Sequence, residues 1–249
     1  MRKPSTRRSV LSSRIIQAVS FDVWKTLLHG NKKYTNRRMR TIFDILGHRG
    51  IPTDNLVQAY RATRHEIDLA AERSGLDMGL AEYVVAIYKH LGMSAERPSA
   101  EIVRYLQSVM AWQRLDPDYL PALTEPDLLK TLATLCDKGY KIGLLSNTGM
   151  DSRSVMVPLL DKLGILQFVD SAVFSSELGI AKPNPGMFAE LASRLGVDVS
   201  EMIHIGDNRR ADYDGALQAG AWAALYEPKK HGKHVAYRLS SLRELRTLP

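Results

Sequence analysis

The stretch Ile15-Ile16-Gln17-Ala18-Val19-Ser20-Phe21-Asp22-Val23-Trp24-Lys25-Thr26-Leu27-Leu28 decides how the chain reads. Its first half is a short, mostly apolar run of the kind a buried strand needs. Asp22 follows directly, and a carboxylate is an unusual residue to place at the end of a buried strand. In an open parallel sheet, ligands bind in the crevice beyond the carboxyl ends of the strands. Asp22 is therefore the first candidate for chemistry, set against the plainer reading of a capping residue in a strand-to-loop turn.

Beyond this stretch lies a basic patch, His29-Gly30-Asn31-Lys32-Lys33-Tyr34-Thr35-Asn36-Arg37-Arg38-Met39-Arg40. It leaves the Asp22 loop directly, so part of it is expected to face the crevice and favour an anionic substrate. From about residue 35 to 115 the apolar spacing is helical. Met39, Ile42, Phe43 and Leu46 make one stripe, and Leu56, Tyr60 and Ile67 a second behind Asp54 as a cap. Leu80, Val84, Ile87, Tyr88 and Leu91 make a third, and Ile102, Tyr105, Leu106, Val109 and Trp112 a fourth. Leu115-Asp116-Pro117-Asp118-Tyr119-Leu120-Pro121 then marks a turn or linker.

After that linker, strand and helix signals alternate. Strands are predicted at 140–145, 171–174, 202–205 and 222–226. Helices are predicted at 125–138, 151–163 (with Pro158 either breaking it or fixing its start), 185–195 and 211–219, and a short element over 239–248. Repeated strand–helix units imply an α/β fold, a parallel sheet with helices on both faces. The helical block then interrupts the chain between the first and second strands. The expected organisation is a basic tail over 1–13, a core over 14–33 and 116–249, and a helical insertion over 34–115.

Composition narrows the function classes. The 249 residues carry a formal charge of +7 and one cysteine, Cys136. A single thiol builds neither a disulfide framework nor a cysteine zinc site, which fits a reducing cytoplasm. Its helical spacing from Leu129 and Leu132 suggests a buried structural thiol. No run approaches the roughly 18 apolar residues of a membrane span. Part of the positive charge sits in the polar tail Met1-Arg2-Lys3-Pro4-Ser5-Thr6-Arg7-Arg8, which reads as solvated. Aromatic residues interleave poorly with the basic ones, so nucleic-acid binding gains no support. The tract from Lys229 to His234 reads as a solvated loop, and His204 as a packed core histidine rather than a ligand.

Three further predicted strand ends and loops carry polar residues. Ser146-Asn147 ends one strand, and Gly206-Asp207 ends another, with Asp212 soon after. Lys182 lies in Lys182-Pro183-Asn184-Pro185. On a parallel sheet these ends share one edge. Asp22, Asp207 and Asp212 together would repel one another unless a cation compensates, and hard carboxylate oxygens suit Mg2+. Lys182 and the Ser146 hydroxyl then offer donors to an anion, most simply a phosphoryl group.

Taken in order, these four stretches resemble the four motifs of the haloacid dehalogenase-like (HAD) hydrolase superfamily, from about residue 16 to 245. Asp22 to Thr26 matches Asp-x-Asp-x-Thr except at its third position. Leu144-Leu145-Ser146-Asn147, Lys182-Pro183-Asn184-Pro185 and Gly206-Asp207 with Asp212 match the other three. The resemblance implies a Rossmann-like core, with the helical insertion as a cap. It also implies that Asp22 is the nucleophile, taking up a phosphoryl group as an aspartyl-phosphate. Mg2+ would be held by Asp22, the Trp24 carbonyl, Asp207 and Asp212. Ser146 and the Asn147 amide would bind phosphate oxygens, Lys182 would neutralise charge, and Thr26 would steady the loop.

The departure at Trp24 matters most. Phosphatases of the family place there a second Asp that protonates the leaving group and then activates water, and indole does neither. Lys25 also stands where Gly is frequent. Three readings follow. One is a restricted phosphohydrolase acting on acyl or aryl phosphates, or recruiting an acid such as His29. A second is a 2-haloacid dehalogenase. The third is a phosphate- or ligand-binding protein without catalysis. The retained Asp22, Lys182 and Asp207 favour the first, with a small phosphate ester or acyl phosphate as substrate.

Overall fold

A computed structural model describes residues 16–94, 96–229 and 235–249. The basic tail and residues 230–234 of the Lys229–His234 tract lie outside them. The strands are β1 (Ala18–Phe21), β2 (Lys141–Ser146), β3 (Ser171–Phe174), β4 (Met202–Gly206), β5 (Trp222–Tyr226) and β6 (Arg238–Leu239). They form one sheet in the order β3-β2-β1-β4-β5-β6, with every neighbouring pair parallel. This is the doubly wound order, whose switch point lies at β1. Phe21 is level with Leu144 of β2 and Ile205 of β4. The residues that follow these strands therefore meet at one edge.

The helices are α1 (Lys32–Ile45), α2 (Thr53–Ser74), α3 (Leu80–His90), α4 (Ala100–Arg114), α5 (Leu128–Asp137), α6 (Arg153–Lys162), α7 (Ser175–Leu178), α8 (Pro185–Leu195) and α9 (Gly215–Ala219). Local chemistry sets several of their ends. Asn31 caps α1 by accepting from the Tyr34 amide. Asn184 caps α8, Pro185 opens it, and Gly196 closes it in the left-handed region. Pro158 lies inside α6 and does not end it. Met156, Leu159 and Leu160 are buried in the sheet's core and hold the helix through that position.

Two apolar clusters cover the two faces of the sheet. One contains Phe21, Leu132, Leu144, Met156 and Leu160, and the other contains Leu145, Phe188, Leu191 and Leu225. A third is built by α1–α4 from Met39, Phe43, Leu56, Val84, Ile87, Leu106 and Met110, and Met150 from the loop after β2 joins it. The helical insertion thus has its own core and touches the sheet's carboxyl edge. The Ser175 hydroxyl donates to Asp77 at 2.7 Å, Asn208 to Glu72 at 2.8 Å, and the Ala181 amide to the Gly75 carbonyl at 2.9 Å.

Three expectations are corrected. The buried face of α4 is Leu106, Met110 and Arg114, while Ile102 and Tyr105 are exposed and Trp112 is 84% exposed. Of the stripe read from apolar spacing, Leu106 is buried, and Ile102, Tyr105 and Trp112 lie toward solvent. The predicted helix at 211–219 begins earlier, as a wide π turn over Arg209–Asp214 that runs into α9. Cys136 is only partly buried; its thiol lies 3.6 Å from the Phe168 carbonyl.

Candidate active site

Asp22 stands one residue past β1, where its amide donates to the Ile205 carbonyl of β4 at 2.9 Å. Its carboxylate meets Lys182, whose Nζ lies 2.8 Å from Asp22 Oδ1 and 2.7 Å from Asp212 Oδ1. The ammonium also donates to the Leu145 carbonyl at 2.6 Å. Lys182 is 1% exposed, so three oxygens take the place of water around it. The loop that delivers it is clamped by Asn147, which donates to the Lys182 carbonyl at 2.9 Å and accepts from its amide at 2.8 Å.

The π turn after Asp207 explains how Asp212 arrives. The Tyr213 amide reaches back to the Asn208 carbonyl, and Asp212 Oδ2 accepts from the Asn208 amide at 2.9 Å. The wider turn swings the Asp212 carboxylate over Gly206. A Cβ on Gly206 would lie 2.2 Å from Asp212 Cγ, so only glycine permits the approach. His204 supports Asp212 from beneath, with Nε2 3.3 Å from Oδ1 and Nδ1 2.9 Å from the Ser20 hydroxyl. Burial pushes the pKa of this imidazole down, which favours its neutral form. The carboxylate then requires the proton on Nε2, and Ser20 donates to Nδ1. His204 is the core histidine expected, and it also orients Asp212.

Charge in the cluster is unbalanced. Asp22, Asp207 and Asp212 each offer an oxygen, and these oxygens all lie within 4.8 Å of one another. Burial raises the Asp22 pKa to about 7, Lys182 opposes the rise, and the two other carboxylates add to it. Asp207 is raised by burial and by Asp212. Burial also acts to raise Asp212, but Lys182 and His204 outweigh it and hold this carboxyl below the ordinary range. The Lys182 pKa is raised despite burial, by Asp212 and Asp22. Three hard oxygen donors at this spacing fit a cation such as Mg2+, which would favour the ionised form of all three.

The remaining predicted site residues divide. Thr26 is buried, and its hydroxyl donates to Asp22 Oδ2 at 3.3 Å. Ser146 is fully buried, its hydroxyl has no partner among the described residues, and it does not line the open crevice. His29 does not line it either and is exposed. Lys25 adopts a left-handed φ of +67°, the conformation that favours glycine and that costs another residue about 1–2 kcal/mol. Its Nζ lies 3.7 Å from Asp207 on the open side.

Trp24 faces the opposite wall. The Arg114 guanidinium lies 5.0 Å from the Trp24 ring centre and 3.8 Å from that of Tyr34. Beside it, Arg38 is 3.1 Å from Asp151 and donates to the Tyr60 hydroxyl at 2.7 Å. Arg38 bears out the expectation that part of the basic patch faces the crevice. The crevice encloses about 240 Å3 between this wall and Asp22, Lys182, Asp207 and Asp212. Sequence reasoning passed over Arg114. Its signal was a position four and eight residues beyond two buried apolar residues, Met110 and Leu106.

The family model of haloacid dehalogenase-like hydrolases matches residues 16–220. The chain is 29% identical over 208 residues to a glyceraldehyde 3-phosphate phosphatase of Methanopyrus kandleri, covering 83% of this chain and 82% of that one. In fold it is similar to the magnesium-bound HAD-hydrolase YfnB of Bacillus subtilis, with a TM-score of 0.67 and 17% identity over 93% of this chain and 97% of that one. It is also similar to the L-2-haloacid dehalogenase of Xanthobacter autotrophicus, with a TM-score of 0.62 and 18% identity over 94% and 98%. The sheet order, the motif residues at its carboxyl edge and the extent of the family match agree: this chain is a hydrolase of the haloacid dehalogenase-like family.

Proposed function

We propose that the chain is a Mg2+-dependent phosphohydrolase in which Asp22 accepts the phosphoryl group, with residues 34–115 acting as its cap. The observation that carries this reading is the buried cluster of three carboxylates with Lys182 between two of them. The similarity to a named phosphatase along most of the chain supports it. Asp22, Asp207, Asp212 and the Trp24 main-chain carbonyl would hold Mg2+, which supplies positive charge against the phosphoryl oxygens.

An Asp22 oxygen attacks phosphorus as the ester P–O bond breaks, and the leaving group departs with the bonding pair. Lys182 holds Asp22 in line and offsets the charge brought in by the phosphate. The Asn147 amide is a donor for phosphate oxygens. Water then attacks phosphorus, releasing inorganic phosphate and restoring the Asp22 carboxylate.

No acid follows Asp22 at the position two residues on. The crevice's other carboxylates are engaged: Asp68 with Arg64 at 3.6 Å, Asp77 with Ser175, Glu72 with Asn208, and Asp151 with Arg38. General acid–base catalysis contributes about 100- to 10,000-fold. Substrates whose leaving groups depart without a proton, aryl and acyl phosphates, are therefore favoured over alkyl esters. The test is a panel of such phosphates with and without Mg2+. Activity should require the metal and vanish in Asp22→Asn. Metal-independent release of chloride from a 2-chloroacid would establish a dehalogenase instead, and the absence of any turnover would leave a binding protein.

A further inference from the structure

Arg114 is 4% exposed, yet its guanidinium makes no hydrogen bond or ion pair with any described residue. Its Nε is buried without a partner. It is held only by stacking on Tyr34 and Trp24, and burial lowers its pKa. An unpaired buried cation is costly, so residues of this kind are normally matched by an anion. Arg38, 5% exposed, is matched by Asp151 and Tyr60, but its Nε also lacks a partner. Two buried guanidiniums thus share one carboxylate, and both line the crevice that holds Asp22.

We propose that Arg114, assisted by Arg38, receives a second anionic group of the substrate, so that the substrate is a small phosphate ester bearing a carboxylate or a second phosphoryl group. Identification of the first anion rests on the phosphohydrolase reading above. A guanidinium offers a planar fork that carboxylate and phosphate both match. Trp24 and Tyr34 fix the plane of that fork by stacking, leaving its N–H edge for a ligand. On this reading Trp24 has exchanged proton transfer for substrate anchoring. The crevice of about 240 Å3 suits a compact molecule.

Calorimetric titration with hydrolysis-resistant probes tests this in the presence of Mg2+. The probes are methylphosphonate, with no second anion, phosphonoacetate, with a carboxylate, and methylenebisphosphonate, with a second phosphoryl group. The native protein should bind at least one of the latter two about tenfold or more tightly than methylphosphonate, and the tighter one identifies the second group. Arg114→Gln should remove that advantage by about 10- to 100-fold. Arg114→Lys keeps the stem and the charge but not the fork, and should lose about tenfold while melting close to the native protein. Equal binding of all three probes, or an advantage that survives in Arg114→Lys and Arg114→Gln alike, overturns the inference. A retained preference in a protein that hydrolyses no ester would sustain the inference while removing the phosphohydrolase reading.

Discussion

On the sheet side of the crevice, three carboxylates face one buried ammonium, and Lys182 bridges two of them at 2.8 and 2.7 Å. On the helical side, two buried guanidiniums face one carboxylate, with Arg38 on Asp151 at 3.1 Å and Arg114 on aromatic rings alone. In the first group carboxylates outnumber buried cations, and in the second buried guanidiniums outnumber buried carboxylates. The sheet side is also anchored to main chain, through the Leu145 carbonyl, the Asn208 amide and the Asn147 clamp. The helical side is held by side chains stacked on side chains. On the function proposed above, the chemistry belongs to the sheet side and the recognition of a second anion to the helical side.

Breaking the helical wall should have the larger effect on stability. Asp151 and Arg38 are both nearly excluded from water. Asp151→Asn leaves two buried guanidiniums with no carboxylate, and should destabilise the fold by about 3 kcal/mol, read from the denaturant midpoint. A change below about 1 kcal/mol would mean that the two charges there are balanced in some other way. Disturbing the sheet wall should act on catalysis instead. Gly206→Ala forces Asp212 away from the strand end, because the new methyl would lie 2.2 Å from its Cγ. A displacement of about 1 Å in such a site costs roughly 100-fold in turnover, about 2.7 kcal/mol of barrier. The Mg2+ concentration for half-maximal rate should rise with it. Unchanged Mg2+ dependence would remove Asp212 from the metal set.

The same contrast explains what the sequence made legible. Asp22, Lys182, Asp207 and Asp212 follow apolar runs or sit among Gly and Pro residues that mark strand ends and loops. The doubly wound order then brings those ends together. Arg114 gave no comparable signal, because it belongs to a helix whose face was inferred from apolar residues. Counting apolar residues found Leu106 but added Tyr105 and Trp112, which the structure leaves exposed, in place of Met110 and Arg114. Burial of a cation depends on partners that converge from distant segments, here Tyr34 from α1 and Trp24 from the loop after β1. The π turn that carries Asp212 was likewise read as ordinary helix, since its widening depends on the tie between Asp212 and Asn208. Lys25 shows the reverse case. The left-handed backbone found there accounts for the glycine its position commonly carries in the family.

In the proposed reaction Asp22 takes the phosphoryl group while Trp24 supplies no acid or base beside it. Rapid-quench measurement of aryl release from an aryl phosphate, in Mg2+, tests this most directly. Aryl release should show a burst approaching one equivalent per Asp22 and then a slower steady phase, as phosphorylated Asp22 waits for unassisted water. A time course that is linear from the first turnover would contradict it.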